Sequence, residues 1–327
     1  MNCRIRRPGL FGTACAQGPG LTGTGAEGTV NPMAVLPVSA DALRPLLRVS
    51  DGPGLRRLVV HLGLIVAAGG LVWASRGSVW ALPAMSLLGV LEVALFAPLH
   101  ETTHRTPFRS PALTWTVGLL AGFLLVLPSR WFRHFHLAHH RHAQDRARDP
   151  ELLDVPPLTR SRYAYRLTGI PYWIGTVRVL LRTAADRAEE PWLPPHARAS
   201  VVREARLYLA AYALLAVATV ATGTTLPLWF WVGPVLLGQP VLRWVLMAEH
   251  AGCAEVVDPY SNTRTTLASR LLRYLFWNAN FHAEHHLAPG VPFHALPRMH
   301  ELIRDRLMRL DHGYACAHRG IRSSLPD

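Results

Sequence analysis

Long uninterrupted apolar runs organise this chain, with no alternating or heptad pattern. They lie at about 58–75, 79–99, 112–128, 205–222 and 226–248. A helix crosses the hydrocarbon core of a bilayer with about 20 apolar residues, within a range of about 17–25. Only Arg76, Gly77 and Ser78 separate the first two runs, and only Gly223, Thr224 and Thr225 separate the last two. Each pair therefore predicts a helical hairpin. Residues 170–181 are shorter and carry Tyr172, Trp173 and Arg178, which suits a helix lying in the membrane interface.

The polar remainder frames these runs. Residues 1–50 are rich in Gly, Pro, Thr and Ala without sustained periodicity, and read as a disordered segment. Arg4, Arg6 and Arg7 are not followed by the apolar stretch of a signal peptide, and Met33 is an alternative start to Met1. Residues 51–310 are expected to form one membrane domain, and 311–327 a flexible C-terminal tail. Half of the chain is apolar and 17% is charged, against roughly a quarter charged in soluble domains. The net charge of +13 raises nucleic-acid binding. Here, however, the arginines flank apolar runs and fill connecting segments, the pattern of positive cytoplasmic loops over anionic lipid. No nucleic-acid partner is expected. Cys3, Cys15, Cys253 and Cys316 form no CxxC pair, so neither a disulfide framework nor a zinc ribbon is indicated.

Histidine changes the picture most. There are 17, most of them in three tight groups. His100-Glu-Thr-Thr-His104 ends the second apolar run, and on a helix positions i and i+4 share a face. His136, His139 and His140 form HxxHH, as do His282, His285 and His286. The i,i+3 spacing predicts that His136 pairs with His139, and His282 with His285, the adjacent ring reaching a neighbouring metal. Imidazole suits Fe, Zn, Cu and Ni alike. Eight such donors exceed what one zinc ion uses, so two metals are expected, and iron is preferred because it reduces O2. HETTH also fits the HExxH of zinc proteases, with Glu101 as general base, but that reading leaves both HxxHH groups unexplained. A metal transporter tends to carry ionisable groups mid-span, whereas these groups sit at span ends. If the histidines share one site, run 112–128 must be re-entrant or interfacial, because a crossing would put His100 and His136 on opposite sides. Four spans are expected, with the arginine-rich, histidine-bearing side facing the cytoplasm.

At these residues the chain resembles the membrane fatty acid desaturase superfamily, which includes acyl desaturases and carotenoid ketolases and hydroxylases. The three boxes occur in order, and Asn262-Thr-Arg-Thr-Thr266 and the text 282–300 strengthen the likeness over about residues 58–305. The resemblance implies an all-α integral-membrane fold: four membrane helices in two hairpins, a re-entrant or interfacial segment, and a cytoplasmic helical cap carrying a di-iron site in the cytoplasmic membrane. It implies His100, His104, His136, His139, His140, His282, His285 and His286 as ligands, and His250 as a ninth. Some acyl-CoA members carry an asparagine four residues before that ninth histidine; here the position is Leu246. Asn278 or Asn280 is then either a substitute for it or a capping or hydrogen-bonding residue. Asp145, Asp149 and Glu284 are candidates to accept the second ring N–H of ligating imidazoles. His134 and His142 are expected to be solvated, His294 and His300 to fix the segment after the third box, and His61 to be packed or interfacial.

The implied activity is O2-dependent desaturation of a fatty acyl or similar lipid chain. A hydroxylase or ketolase of a carotenoid or other hydrophobic metabolite, or a desaturase of an amino-acid-derived or carrier-bound substrate, shares the same boxes. The chain has no haem-binding His-Pro-Gly-Gly and no ferredoxin-like cysteine set, so a separate electron donor such as ferredoxin is implied, together with membrane lipid and a hydrophobic acyl-type substrate.

Overall fold

The computed structural model describes residue 36, residues 38–153 and residues 155–327. Most of the segment expected to be disordered, and Met33, lie outside the described residues. The elements are α1 (Ala40–Leu43), α2 (Asp51–Ser75), α3 (Ala81–Val93), α4 (Phe96–His104), α5 (Pro111–Leu124), α6 (Ser129–His142), α7 (Arg160–Leu167), α8 (Ile170–Ala184), α9 (Pro195–Thr222), α10 (Gly233–His250), β1 (Thr265–Thr266), α11 (Arg270–Leu275), α12 (His282–Leu287), α13 (Leu296–Ile303), β2 (Leu310–Asp311) and α14 (Tyr314–Ser324).

Among the described residues four helical stretches are long and apolar enough to cross a membrane: Asp51–Ser75, Ala81–His104, Pro195–Thr222 and Leu228–His250. The second joins α3 to α4, and the fourth joins a π-helical turn, Leu228–Val232, to α10. Their outward faces leave Val66 73%, Leu214 71% and Val220 82% exposed. In water such a surface would be an aggregation liability; against lipid it costs nothing.

The tightest contact joins α3 and α10. An added Cβ on Gly89 would lie 1.9 Å from the Pro234 carbonyl oxygen, and one on Gly238 would lie 2.2 Å from the Gly89 carbonyl oxygen. Small residues let membrane helices approach backbone to backbone where no hydrophobic driving force separates them from lipid. α2 also packs on α3, and the His61 Nε2–H donates to the Leu91 carbonyl at 2.8 Å. The expectation that His61 is packed holds. The second hairpin differs from expectation: α10 packs chiefly on α3, while α9 lies against α8 and α6. The Tyr208 and Tyr212 hydroxyls of α9 donate to the Leu119 and Phe123 carbonyls of α5 at 2.5 and 2.6 Å, which draws α9 toward the α5–α6 arm.

That arm is the 112–128 run. Ser110 caps α5 by accepting from Leu113 N–H, with Pro111 in the first turn. The chain then folds back. Val126 takes a left-handed conformation (φ 56°), Leu127 N–H donates to the Gly122 carbonyl at 2.8 Å, and α6 leaves at 99° to α5. Glu204 of α9 sits at the start of α6, accepting from Arg130 N–H at 2.9 Å, where the helix dipole favours a carboxylate. The bend brings His136 to the end of the bundle that holds His104.

Two described segments, 38–50 and 311–327, are more ordered than expected. α1 forms within the segment read as disordered, and Leu46 is buried against a cluster containing Phe281, Met299 and Ile303. The 311–327 tail is largely the helix α14, which packs on α10. Tyr314, Cys316, Ala317, His318 and Ile321 are its buried residues, and Tyr314, Ala317, His318 and Ile321 give the i, i+3, i+4, i+7 pattern of an amphipathic helix. The fold is also not strictly all-α, because Thr265–Thr266 pairs in parallel with Leu310–Asp311.

Replacing Gly89 or Gly238 with Val places carbon on backbone that no rotamer change relieves. Each variant is expected to lower the unfolding midpoint in detergent, at a cost at or above the ~1–3 kcal/mol of core overpacking. Gly63→Val, where an added Cβ meets nothing, is expected to leave it unchanged.

Candidate metal centre

Four elements end at one place. The histidines of HETTH occupy the last turn of the second span, and His250 ends the fourth. His136, His139 and His140 lie toward the C-terminal end of α6, and α12 carries His282, His285 and His286. The second and fourth spans therefore run toward the same end, and the short connections at 76–80 and 223–227 lie at the other.

The nine histidines form two groups: His100, His104, His136, His140 and His285 in one, and His139, His250, His282 and His286 in the other. Within each group the candidate donor atoms all lie within 4.8 Å of one another. The pairing within the HxxHH boxes differs from expectation. His136 shares its group with His140, and His282 with His286, so i,i+4 neighbours stay together while His139 and His285 cross to the other group. At about 3.6 residues per turn, i+4 overshoots a full turn by only about 40°, and i+3 undershoots by more.

The geometry fits metal ions. In the first group Nε2 of His136 is 2.9 Å from Nε2 of His104 and 2.9 Å from that of His140. In the second, Nε2 of His250 is 3.1, 3.0 and 3.2 Å from those of His139, His282 and His286. Metal–imidazole bonds of about 2.1 Å put two donors about 3.0 Å apart at right angles and about 3.4 Å apart at tetrahedral angles. The observed spacings match the right-angled case. A hydrogen bond between neutral rings does not account for the His139–His250 spacing. The His139 Nδ1–H donates to Asp149 at 2.9 Å and the His250 Nδ1–H to the Asn262 carbonyl at 3.1 Å. In the neutral rings, both facing Nε2 atoms then carry lone pairs. His100 Nε2 and His285 Nε2 are buried without a hydrogen-bond partner. Burial, and then the neighbouring imidazoles, push the pKa of His282, His285 and His286 well below the ordinary histidine value, which keeps their lone pairs free for a metal.

The surrounding acids sort differently from expectation. Asp149 is buried, and besides His139 it accepts from Gln144 N–H at 2.9 Å. Asp145 instead pairs with Arg148 and caps Ala147 N–H. Glu284 accepts from His300 and from the Thr265 hydroxyl, tying α12 to α13 and β1. That bond gives His300 its expected fixing role, and His294 joins neither metal group. His134 and His142 also lie outside both groups, and each is half-buried rather than fully solvated. Asn278 and Asn280 donate to the Phe293 and Thr266 carbonyls, each at 2.9 Å, so both take the hydrogen-bonding role. Sequence reading missed two contacts. Glu249 Oε1 lies 3.6 Å from His282 Nδ1, and the Asn262 carbonyl fixes His250. A carboxylate directly before the ninth histidine was the available signal for Glu249; nothing marks a backbone carbonyl.

Glu101 is not poised as a protease base. It is buried, and one carboxylate oxygen accepts from the Thr106 hydroxyl at 2.9 Å and from Phe293 N–H at 3.2 Å. Beside the histidines opens a cavity of about 420 Å³. His100, His136, His139 and His282 reach it; Phe96, Trp131, Phe132, Phe135, Val179 and Leu246 are among its apolar walls, and Glu151, Arg166, Arg243 and Glu249 also line it.

Asp149→Ala leaves the His139 ring N–H without its acceptor. It is expected to weaken metal retention by about 10–100-fold, measured as metal content against increasing chelator. Asp149→Asn is expected to recover part of the loss, and Asp145→Asn to cause none.

The fatty acid desaturase family model matches residues 77–318, which takes in every histidine of both groups. Dihydrorhizobitoxine desaturase of Bradyrhizobium elkanii is 28% identical over 248 residues, covering 71% of this chain and 68% of that protein. With helices suited to a membrane and histidine clusters suited to metal, the chain belongs to the fatty acid desaturase family and is a membrane oxidoreductase of the desaturase type.

Proposed function

We propose that the chain is an O2-dependent di-iron desaturase that introduces a double bond into an aliphatic substrate of fatty acyl or similar character. One observation carries this reading: nine imidazoles stand in sets of five and four with near-right-angled donor spacing, and four of them line a largely apolar cavity. Zinc is redox-inert and its usual sites take four ligands or fewer. When bound, two irons would provide the reduction of O2 and the oxidising power to remove hydrogen from unactivated C–H bonds. In balance, a CH2–CH2 unit, one O2, two electrons and two protons become CH=CH and two waters.

The protein's own part is positioning. Asp149 and the Asn262 carbonyl set the tautomers of His139 and His250. The aromatic wall of Phe96, Phe132 and Phe135 holds an alkyl chain against the faces of His100 and His136 and keeps bulk water out. Misplacement by ~1 Å can cost ~100-fold in rate, so the choice between desaturation and hydroxylation rests on this wall. The electron donor is a separate carrier such as ferredoxin, steered toward the arginine-rich face. In this reading that face is cytoplasmic and the α5–α6 arm is re-entrant.

A second reading concerns the substrate. Arg166, Arg243, Glu151 and Glu249 line the same cavity, and its size falls toward the lower end of small-molecule pockets, about 300–1,000 Å³. Both features favour a short chain with a polar head over a long membrane acyl chain. The name of the Bradyrhizobium elkanii relative supports desaturation as the reaction type.

Expression with a ferredoxin system, followed by mass spectrometry of lipid and metabolite extracts, tests the reaction. Loss of two hydrogens from a product is expected; gain of one oxygen atom instead identifies a hydroxylase, and one zinc per purified chain sinks the di-iron assignment. Gly175 lines the cavity and an added Cβ there meets nothing. Gly175→Leu is therefore expected to raise KM at least several-fold for longer substrates while iron content stays unchanged.

A further inference from the structure

A second cavity, of about 760 Å³, is lined by residues of α4, α5, α6 and α9. No metal-group histidine lines it. Arg105, Arg109, Arg130 and Arg133 line it together with His134 and His196, and no Asp or Glu does. Only Arg130 has a carboxylate partner among the described residues, Glu204 at 3.4 Å. Arg133 is half-buried, and its Nη1 is sealed from solvent with no hydrogen-bond partner. Desolvating one edge of a guanidinium without an acceptor is costly. Arg105, directly after His104, holds its backbone in the left-handed region (φ 62°), uncommon for a residue with a side chain. Cationic side chains crowding around an acid-free cavity repel one another, and an anion there removes both penalties.

The cavity's surroundings say which anion. Its lining includes Trp115, which is 49% exposed, and Leu120 on the same helix is 57% exposed. α9 continues from His196 and Ser200 of the cavity to exposed Leu207 and Leu214. The cationic cavity thus opens, at the same end of the bundle as the histidines, onto two apolar faces suited to acyl chains. Basic pockets between membrane helices of this kind hold anionic lipid head groups.

We propose that this cavity is a binding site for an anionic phospholipid. Its phosphate sits among Arg105, Arg109, Arg130 and Arg133, and its acyl chains lie along α5 and α9. The bound phosphate braces the junction of α4 and α6, which carry five of the nine metal-group histidines. This site is independent of the substrate assignment.

The test uses the full chain in bilayer nanodiscs of phosphatidylcholine alone or with phosphatidylglycerol, with co-purifying lipid read by native mass spectrometry and unfolding by thermal melt. Wild type is expected to retain phosphatidylglycerol and melt higher in its presence. Each arginine near an anionic surface contributes about fivefold, so Arg105→Gln with Arg109→Gln, both exposed side chains, should weaken retention roughly 25-fold. Arg133→Gln should abolish the melting shift. Arg178→Gln with Arg182→Gln on α8 removes the same charge elsewhere and should change neither. Equal retention of the two lipids, or equal loss in the α8 control, overturns the proposal. So does displacement of phosphatidylglycerol by millimolar inorganic phosphate, which assigns the cavity to a soluble phosphate. Loss of ferredoxin binding with lipid retention intact overturns it in favour of a donor-docking surface.

Discussion

Nine imidazoles turn their ring nitrogens toward one another in two tight groups, an arrangement that bound cations relieve. Lone pair against lone pair at about 3 Å is repulsive, and for His139 and His250 proton sharing is closed off because each ring N–H is already donated to Asp149 or to the Asn262 carbonyl. The rest of the architecture follows from the need to hold this arrangement. Two spans deliver their last turns to one end, the α5–α6 arm folds back to the same end, and α12 closes over it. The backbone-to-backbone contact of Gly89 with Gly238 fixes the two spans that carry His100, His104 and His250, so metal geometry is set in part deep within the apolar slab.

Much of this was legible in the chain. Apolar runs marked the spans, and the prolines and short length of the 112–128 run marked it as different. Histidine spacing on helical segments marked the donors, because residues i and i+4 must share a face wherever the helix is placed. The division between the two metals was less accessible. His139 and His140 are neighbours in sequence, yet their Cβ atoms point about 100° apart, and which metal each serves depends on where α12 docks. The acids were similarly opaque. Asp145 and Asp149 look alike in the text 139–151, and only the turn at 142–149 turns Asp149 inward and leaves Asp145 with Arg148. The tail helix α14 escaped notice because five buried positions among eleven residues give a weak signal until α10 provides the surface they pack on.

The cavity beside the metals shows how a shared scaffold admits different substrates. The box histidines occupy one wall, and α8 and the last turns of α10 provide much of the other. Apart from His250 those helices carry no histidine of either group, so Gly175, Thr176, Val179 and Leu246 can vary without altering the donor set. Glu249 and Glu151 touch both worlds, lying 3.6 and 3.9 Å from ring nitrogens of His282 and His139 while also lining the cavity. A change in substrate charge at this wall is felt at the imidazoles.

The short parallel pairing of Thr265–Thr266 with Leu310–Asp311 has a consequence for biosynthesis. It clasps the chain on either side of α12, and Arg264 and Asp311 lock it with an ion pair of 2.8 Å. A growing polypeptide that has already inserted all four spans still lacks three donors, and even after His286 emerges the loop bearing them has no clasp until Asp311 follows. Both histidine groups therefore stay incomplete until α12 is made, His285 completing one and His282 and His286 the other.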